Sequence, residues 1–260
     1  MKVVLFCGGL GTRLREHSDT IPKPLVSIGA RPIMWHLMRY YAYFGHKDFI
    51  LCLGYRGDMI REFFLNYNEY LSNDFVFTEG GRKLEALRRD IDDWRITFVD
   101  TGLHSNIGDR LLHVRKYLRG EEVFLANYAD GLTDMALDKY IEDFRDRDVC
   151  ASMIAVRTSQ SFHCVHFSDE GLVTSFGQLA DSEFWINAGF FCFKQEIFDY
   201  LKRGEELVEK PFERLIRKKQ LYVHRHSGFW QQMDTFKDKI TYDRMEARGN
   251  CPWMVWREPK

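Results

Sequence analysis

The sequence predicts an α/β fold in which a Rossmann-like, mostly parallel β-sheet is flanked by helices. Short apolar runs alternate with helical patterns near the N-terminus, which is the β–α–β–α order of such sheets. The second run, 48–53, is continuously apolar rather than alternating, as in parallel strands covered on both faces. A length of 260 residues and a hydrophobic content of 45% fit one large α/β domain or two small ones. Because no linker-like segment interrupts the chain, we expect one domain, 1–260, with small β insertions.

The N-terminal half carries the regular part of this pattern. Val3–Phe6 is too short for a helix and rich in β-branched residues, which predicts a buried strand. A helix is predicted from Ile33 to about Phe44, since apolar residues share one face and Gly45 can end it. The other elements predicted in this half are strands at 48–53, 75–78, 95–100 and 122–127, helices at 59–67 and 109–117, and a polar connection at 82–93.

The C-terminal half is predicted to continue the sheet with shorter pieces between its strands. Its predicted elements are strands at 149–156, 190–193 and 221–224 and helices at 196–201, 212–218 and 235–248. Trp253 and Trp256 close the chain. We expect them to be exposed aromatic residues that could serve a subunit contact as well as a core.

Composition excludes several classes of protein. A formal net charge of −1 argues against a general nucleic-acid binder, which usually carries a basic excess. The sequence has no apolar run of about 18 residues, so no membrane span is expected. Charged residues interrupt the N-terminal apolar run, so no signal peptide is expected either. The six scattered cysteines indicate reduced thiols in a cytoplasmic protein rather than zinc ligands or disulfides.

A glycine-rich turn follows the first strand. Gly8, Gly9 and Gly11 remove three side chains where a strand would pass into a helix, so backbone N–H groups there can converge on an anion. Arg13 and Lys23 add positive charge, and prolines on both sides of Lys23 restrict its backbone. The stretch is typical of a polyphosphate-binding loop.

Other interpretations of the turn are weaker. A dinucleotide-binding loop requires G-x-G-x-x-G, and the run that starts at Gly9 lacks the third glycine. A P-loop requires G-x-x-x-x-G-K-[ST], which the sequence does not contain. A strand–helix turn without any ligand remains the plain alternative.

Two aspartates are candidates for a metal site. Asp130 follows a predicted strand directly, at the edge where open α/β sheets bind ligands, and a carboxylate there suits Mg²⁺. It could equally be a turn or capping residue before the helix near Leu137. Asp234 could be a second carboxylate on the same metal or the N-cap of the last helix, and sequence spacing does not decide between these roles.

The glycine turn, together with further motifs, resembles the sugar-phosphate nucleotidyltransferases, and the combination is most similar to the glucose-1-phosphate cytidylyltransferase family. The resemblance spans nearly the whole chain and is most specific in the Gly-Phe-Trp-Gln-x-Met-Asp-Thr run. The matching stretches, in family order, are 6–14, 22–24, 35–36, 47–50, 54–55, 100–102, 128–131, 186–191 and 228–235.

This resemblance implies the nucleotidyltransferase fold and a reaction in which a sugar 1-phosphate attacks the α-phosphorus of CTP and releases pyrophosphate. It implies that Arg13 and Lys23 are catalytic and that Asp130 and Asp234 hold Mg²⁺. It also implies a homo-oligomer with CTP, or another NTP, and a sugar 1-phosphate as ligands. The implied nucleotide-binding residues are Phe6, Cys7, Gly8, Gly9, Leu10, Gly11, Thr12, Arg13, Lys23, Ser105, Arg110 and Ala129, and the implied substrate-binding residues are Tyr128, Gln178, Asn187, Gly189 and Trp230.

The chain departs from the family mainly on the acceptor side. The family carries a Glu-Lys-Pro run before the Asn-x-Gly-Phe-Phe strand, whereas here Gly177, Gln178 and Leu179 carry no charge. Losing a cation for the acceptor phosphate is not conservative, because Gln178 offers only neutral hydrogen bonds. We therefore expect nucleotidyl transfer, most simply from CTP to a sugar 1-phosphate. A different phosphorylated acceptor, a different NTP or an inactive nucleotide-binding protein are the alternatives.

Overall fold

The computed structural model describes residues 1–9, 21–157, 163–178 and 184–257. Its helices, numbered within this part of the chain, are α1 (Ile33–Tyr43), α2 (Gly57–Leu65), α3 (Ile107–Val114), α4 (Leu137–Arg145), α5 (Lys210–Arg217) and α6 (Phe236–Ala247). Short 3-10 helices lie at Lys23–Leu25, Glu69–Leu71, Glu79–Gly81, Arg115–Leu118 and Gln195–Asp199. The strands are β1 (Lys2–Phe6), β2 (Ser27–Ile28), β3 (Arg31–Pro32), β4 (Asp48–Leu53), β5 (Phe75–Thr78), β6 (Lys83–Ala86), β7 (Arg95–Asp100), β8 (Val123–Tyr128), β9 (Gly131–Thr133), β10 (Ala151–Arg157), β11 (His163–Phe167), β12 (Val173–Gln178), β13 (Trp185–Lys194), β14 (Leu221–His226) and β15 (Trp230–Gln232).

A seven-stranded sheet with the order β14-β10-β13-β8-β1-β4-β7 organises the fold. Strand β1 is central, with Val3 in register with Leu125 of β8 on one side and Phe49 of β4 on the other. The β1–β4, β1–β8, β4–β7 and β10–β14 pairs are parallel, while β13 runs antiparallel to both β8 and β10. The prediction of a mostly parallel α/β sheet is confirmed, with one reversed strand.

This topology gathers the ends of many strands at one edge of the sheet. The carboxyl ends of β1, β4, β7, β8, β10 and β14 meet there, and the reversed β13 begins there. Open α/β sheets bind ligands at this carboxyl edge. It divides into a half formed by β1, β4 and β7 and a half formed by β13, β10 and β14, with β8 between them.

Buried apolar residues cover both faces of the sheet, as continuously apolar strands require. One layer packs α1, α4 and the C-terminal segment against residues such as Val3 and Leu5 of β1. The other packs α3, α5 and the Gln195–Asp199 turn against the alternate positions, Val4 and Phe6. Trp253 belongs to the first layer and is 0% exposed. The expectation that it is an exposed aromatic residue was wrong, because the ring packs against Phe229 and Tyr242.

Most predicted elements are confirmed to within a few residues. Two elements differ from the prediction. The predicted connection 82–93 contains β6, which pairs with β5 in an antiparallel hairpin, and the helix predicted at 196–201 is the 3-10 helix Gln195–Asp199. No helix among the described residues is both long and apolar enough to cross a bilayer.

Candidate active site at the carboxyl edge of the sheet

The first residues of the glycine turn extend the sheet and then pass close to a neighbouring loop. Cys7 N–H donates to the carbonyl oxygen of Cys52 at 3.0 Å, and the Gly8 carbonyl accepts from Tyr55 N–H at 3.3 Å. A Cβ on Gly54 would lie 2.7 Å from the Gly8 oxygen, so glycine is required where the two loops meet. Phe6 and Cys7 are buried beneath this turn. Leu10, Gly11, Thr12 and Arg13 lie outside the described residues, so their roles stay predictions.

Arg110 ties this turn to the ends of two other strands. Its side chain is buried on α3, and the guanidinium donates to the carbonyl oxygens of Gly8 at 3.0 Å and Leu53 at 3.1 Å and to Thr101 Oγ1 at 2.7 Å. A Cβ on Gly8 would lie 2.0 Å from Arg110 Nη1, so Gly8 is also required. Ser105, beside this group, donates its hydroxyl to the Thr101 carbonyl. Arg110 therefore fixes the shape of the loops, and nucleotide contact by Ser105 or Arg110 stays a prediction.

Lys23, Asp130 and Asp234 meet at the centre of the edge. The Lys23 ammonium is 2.5 Å from Asp130 Oδ2 and also donates to Asp234 Oδ1. The three side chains are only 12%, 17% and 23% exposed. Burial alone would lower the pKa of Lys23, but the charges and hydrogen bonds of the two carboxylates outweigh burial and raise it above its ordinary value. Lys23 is therefore a firmly protonated cation between two carboxylates.

Strand pairing brings these distant residues together. Gln232 of β15 pairs with Gly131 of β9, and Met233 N–H donates to the Asp130 carbonyl oxygen at 2.8 Å. Asp130 and Asp234 flank this short ladder, and Lys23 enters on the 3-10 helix that begins after Pro22. The β9–β15 ladder and the Lys23–Leu25 helix therefore bring two carboxylates and one ammonium together.

The competing capping roles for the two aspartates are not observed. The N-cap of α6 is Thr235, which forms a capping box with Asp238, and the N-cap of α4 is Ala136. Because other residues hold the cap positions, the helices require neither Asp130 nor Asp234. Both carboxylates point at Lys23 instead.

The same carboxylates have the chemistry of a magnesium site. Asp130 Oδ1 is buried and has no hydrogen-bond partner among the described residues, which is costly unless another group binds it. Within that part of the chain no group of three or more His, Cys, Asp or Glu side chains could hold a metal. Two carboxylates suit Mg²⁺, which is usually held by one or two carboxylates with water and substrate phosphates as further ligands.

Tyr128, Asn187, Gly189 and Trp230 form a connected group where β8 and β13 meet the edge. Asn187 Oδ1 accepts from Gly189 N–H at 2.9 Å, and Gly189 lies against the Tyr128 ring. Burial raises the pKa of Tyr128 well above its ordinary value, and the Glu206 and Asp130 carboxylates add to the rise. Trp230 Nε1 donates to the carbonyl oxygen of Ala188 at 3.0 Å. The predicted substrate residues on these strands therefore lie together.

Gln178 has no observed contact with this group among the described residues. It is exposed at the end of β12, where it pairs with His163 of the β11–β12 hairpin. No hydrogen bond between described residues joins Gln178 to Asn187 or Trp230. Ala129, in contrast, is buried directly before Asp130. Substrate contact by Gln178 and nucleotide contact by Ala129 stay predictions.

Sequence reasoning missed Gln232. Its side-chain amide donates to Asp130 Oδ2 at 3.3 Å and so helps to orient a carboxylate that Lys23 also contacts. The signal was available, because Trp230, Gln232 and Asp234 are spaced by two along an extended segment and such residues share one face. The sequence does not indicate a site role for Gly54, because Gly54 approaches Gly8 only in the folded chain.

Comparison with known proteins agrees with this geometry. Residues 2–244 match the Nucleotidyl transferase family, and the chain belongs to that family. A glucose-1-phosphate cytidylyltransferase of Salmonella typhimurium is 36% identical over 258 residues, which is 98% of this chain and 100% of the relative. A Bacillus subtilis (strain 168) protein described as a probable glucose-1-phosphate cytidylyltransferase has the same identity and coverage. The resemblance expected from the motifs is confirmed.

The fold is also similar to that of solved structures. UDP-glucose pyrophosphorylase, solved in complex with UDP-glucose, superposes with a TM-score of 0.68 at 14% sequence identity. The match covers 95% of this chain and 98% of that one. At this identity the likeness establishes the fold, and it confirms the predicted nucleotidyltransferase architecture.

Proposed function

We propose that this protein transfers a nucleotidyl group, CMP from CTP, to a sugar 1-phosphate and so forms an NDP-sugar and pyrophosphate. The observation that carries the proposal is the Lys23–Asp130–Asp234 group at the carboxyl edge of the sheet, beside a loop that begins with Gly8. The names of the relatives at 36% identity support cytidine and glucose 1-phosphate as the first substrates to test.

In this reaction an oxygen of the sugar 1-phosphate forms a bond to the α-phosphorus. The bond from that phosphorus to the bridging oxygen of pyrophosphate breaks at the same centre, so the charge on the phosphoryl oxygens must be stabilised. The chain supplies positioning and positive charge for this step. No nucleophilic side chain is needed, because the acceptor's phosphate oxygen is itself the nucleophile.

Lys23 carries out the main electrostatic role among the described residues. Its ammonium balances two carboxylates. Its raised pKa keeps the charge present at neutral pH, and we assign it to the oxygens of the α-phosphate once substrate is bound. Arg13, which the resemblance assigns to the departing pyrophosphate, would supply the second cation.

Asp130 and Asp234 are the residues that would hold Mg²⁺. Asp130 Oδ1, which has no hydrogen-bond partner in the described part of the chain, and the hard oxygen donors fit this ion. When bound, Mg²⁺ supplies Lewis-acid activation and charge neutralisation at the phosphates. Gln232, through its bond to Asp130 Oδ2, fixes the carboxylate that receives the ion.

The remaining residues divide between two substrates. Gly8 and Arg110 maintain the loop on the β1 and β4 side, where we place the nucleotide. Tyr128, Asn187 and Trp230 lie on the β13 side, where we place the sugar. Asp130, on the turn after β8, stands between the two halves, as a transfer reaction requires.

Pyrophosphate release, measured with each of the common NTPs against glucose 1-phosphate and other sugar 1-phosphates in the presence of Mg²⁺, tests the proposal. We expect turnover with CTP, and a loss of about 100-fold or more in Asp130→Asn and Asp234→Asn. The matched control is Asp138→Asn, the same chemical change at an exposed position in the first turn of α4.

Two results would contradict the proposal. Binding of CTP without pyrophosphate release for any acceptor would make the chain an inactive nucleotide-binding protein. Full activity in both aspartate variants would show that the reaction occurs elsewhere. Circular dichroism of each variant separates loss of activity from loss of folding.

A further inference from the structure

Two arginines stack against one tryptophan on the β13 side of the site. The Cζ atom of Arg157 lies 5.4 Å from the Trp185 ring centroid, and that of Arg225 lies 5.6 Å from it. Both arginines are exposed. Neither has an ion pair with a carboxylate among the described residues. This part of the edge therefore carries two positive charges that the chain's described acids do not neutralise.

Sheet register places this group next to the proposed sugar site. Arg157 of β10 pairs with Trp185 of β13, and Ala155 pairs with Asn187, so Trp185 and Asn187 share one face. Arg225 of β14 is in register with Ala155. Because Ala155 is small, the Arg225 side chain can cross β10 above it to reach the indole.

A cavity of about 280 Å³ lies beside Arg157 at the end of β10. Arg157 lines it together with His226, Trp230 and Gln231. Gln231 precedes Gln232, which contacts Asp130, and Trp230 hydrogen-bonds the chain beside Asn187. The cavity therefore extends from Arg157 to β15, the strand whose Gln232 contacts Asp130.

The arginines do not lie beside the place where the phosphate is transferred. Asp130 follows β8, and Arg157 ends β10 two strands away, which corresponds to about 10 Å at the usual strand spacing. The acceptor's 1-phosphate must lie near Asp130 to react. A cation at the far side of β13 would instead meet the end of the sugar that is remote from its 1-phosphate.

Both guanidinium groups can bind an anion. Stacking on an indole uses the flat face of a guanidinium and leaves its N–H edge available for paired hydrogen bonds to a carboxylate or phosphate. Such charge-assisted, bidentate bonds are the strongest hydrogen bonds that a side chain makes. An uncharged sugar hydroxyl would not require two cations.

We propose that Arg157 and Arg225, with Trp185 as their platform, recognise a second acidic group on the acceptor. The acceptor is then a sugar 1-phosphate that carries a carboxylate or a phosphate at its opposite end. This inference rests on the proposed function and specifies its substrate class.

The test compares three acceptors with CTP and Mg²⁺: glucose 1-phosphate, glucuronic acid 1-phosphate and glucose 1,6-bisphosphate. We expect kcat/KM to be higher for one or both acidic acceptors, and the preferred one identifies the acid as carboxylate or phosphate. Arg157→Ala and Arg225→Ala should each reduce that preference by at least about tenfold, the value of one lost hydrogen bond to a charged group. Arg157→Lys, which retains the positive charge but lacks the paired N–H donors of a guanidinium, should retain only part of the acceptor preference.

Arg147→Ala is the matched control. Arg147 also stacks on an aromatic residue of β14, with its Cζ 3.9 Å from the Tyr222 ring, but near the opposite end of that strand. It should leave the acceptor preference unchanged. Equal kcat/KM for all three acceptors, or a preference that the Arg157 and Arg225 variants retain, would overturn the inference while the proposed function stands.

Calorimetric binding of the three acceptors, without CTP, gives a readout that does not need turnover. Tighter binding of an acidic acceptor, lost in both arginine variants, supports the inference even if pyrophosphate release fails with every NTP. In that case it is the proposed function that is wrong. Binding that does not distinguish the acceptors would overturn the inference independently.

Discussion

Replacing Lys23 with alanine removes the one cation that contacts both Asp130 and Asp234 among the described residues. The two carboxylates would then face each other, still mostly buried, without the ammonium that now balances them. We expect loss of both stability and activity. The same change also removes the proposed contact to the α-phosphate, so the two effects have one structural cause.

The burial of the group sets the size of the stability effect. Breaking a fully buried ion pair costs about 3–5 kcal/mol, whereas an exposed pair contributes about 0–1 kcal/mol. With side chains that are 12–23% exposed, an intermediate loss of about 2–3 kcal/mol is expected. For a protein of this size, this loss of unfolding free energy corresponds to a fall in Tm of about 5–10 °C.

Thermal melting followed by circular dichroism measures this effect, and pyrophosphate release measures the loss of activity, expected to be about 100-fold or more. Millimolar Mg²⁺ should raise the Tm of Lys23→Ala more than that of the unmodified protein, because the ion no longer competes with the ammonium. Lys239→Ala is the control, since Lys239 pairs with Asp243 four residues away on α6 and should cost no more than about 0.5 kcal/mol.

The pH dependence follows from the direction of the Lys23 shift. Because folding raises the pKa of Lys23, its stabilisation is complete below the ordinary lysine pKa of about 10.4 and is lost as the pH rises through the higher folded-state value. The difference in unfolding free energy between Lys23→Ala and the unmodified protein should therefore be constant from pH 6 to 8. Identical melting of the two proteins would refute the electrostatic account.

Two further predictions concern other parts of the fold. Gly189→Ala should lower the unfolding free energy by about 1–3 kcal/mol and weaken acceptor binding, because Gly189 has φ +76° and an added Cβ would lie 2.4 Å from the Tyr128 ring. Gly204→Ala, at φ +78° in open space, is its control in urea denaturation, and an equal cost at both glycines would exclude the contact with Tyr128. Burial lowers the pKa of His36 from 6.5 to about 4, so acidification from pH 6.5 to 4 should cost about 3 kcal/mol of stability through this group. Replacement by glutamine, which can still donate to the Ile28 carbonyl, should remove that part of the loss, and parallel pH profiles for the two proteins would contradict the assignment.

Local signals in the sequence were sufficient for most of the fold. Periodic apolar residues indicated α1, and a continuous apolar run gave the bounds of β4, since these elements depend on which residues are buried. The strand β5 was predicted, but its partner β6 was missed because Lys83–Ala86 is mostly exposed and carries charged residues. The reversal of β13 was not predictable either, since direction within a sheet depends on pairing with β8 and β10 and leaves no local trace.

The amino-acid sequence alone indicates the chemical groups at the site: a loop that begins with glycines, one lysine between two prolines, and two aspartates after predicted strands or turns. Only the tertiary structure decided that Asp130 and Asp234 meet at Lys23, because the β9–β15 pairing joins positions about a hundred residues apart. It likewise brought Arg157 and Arg225 to the Trp185 ring. A sequence specifies which groups are present, but long-range strand pairing fixes the distances between them, and electrostatic chemistry depends on those distances.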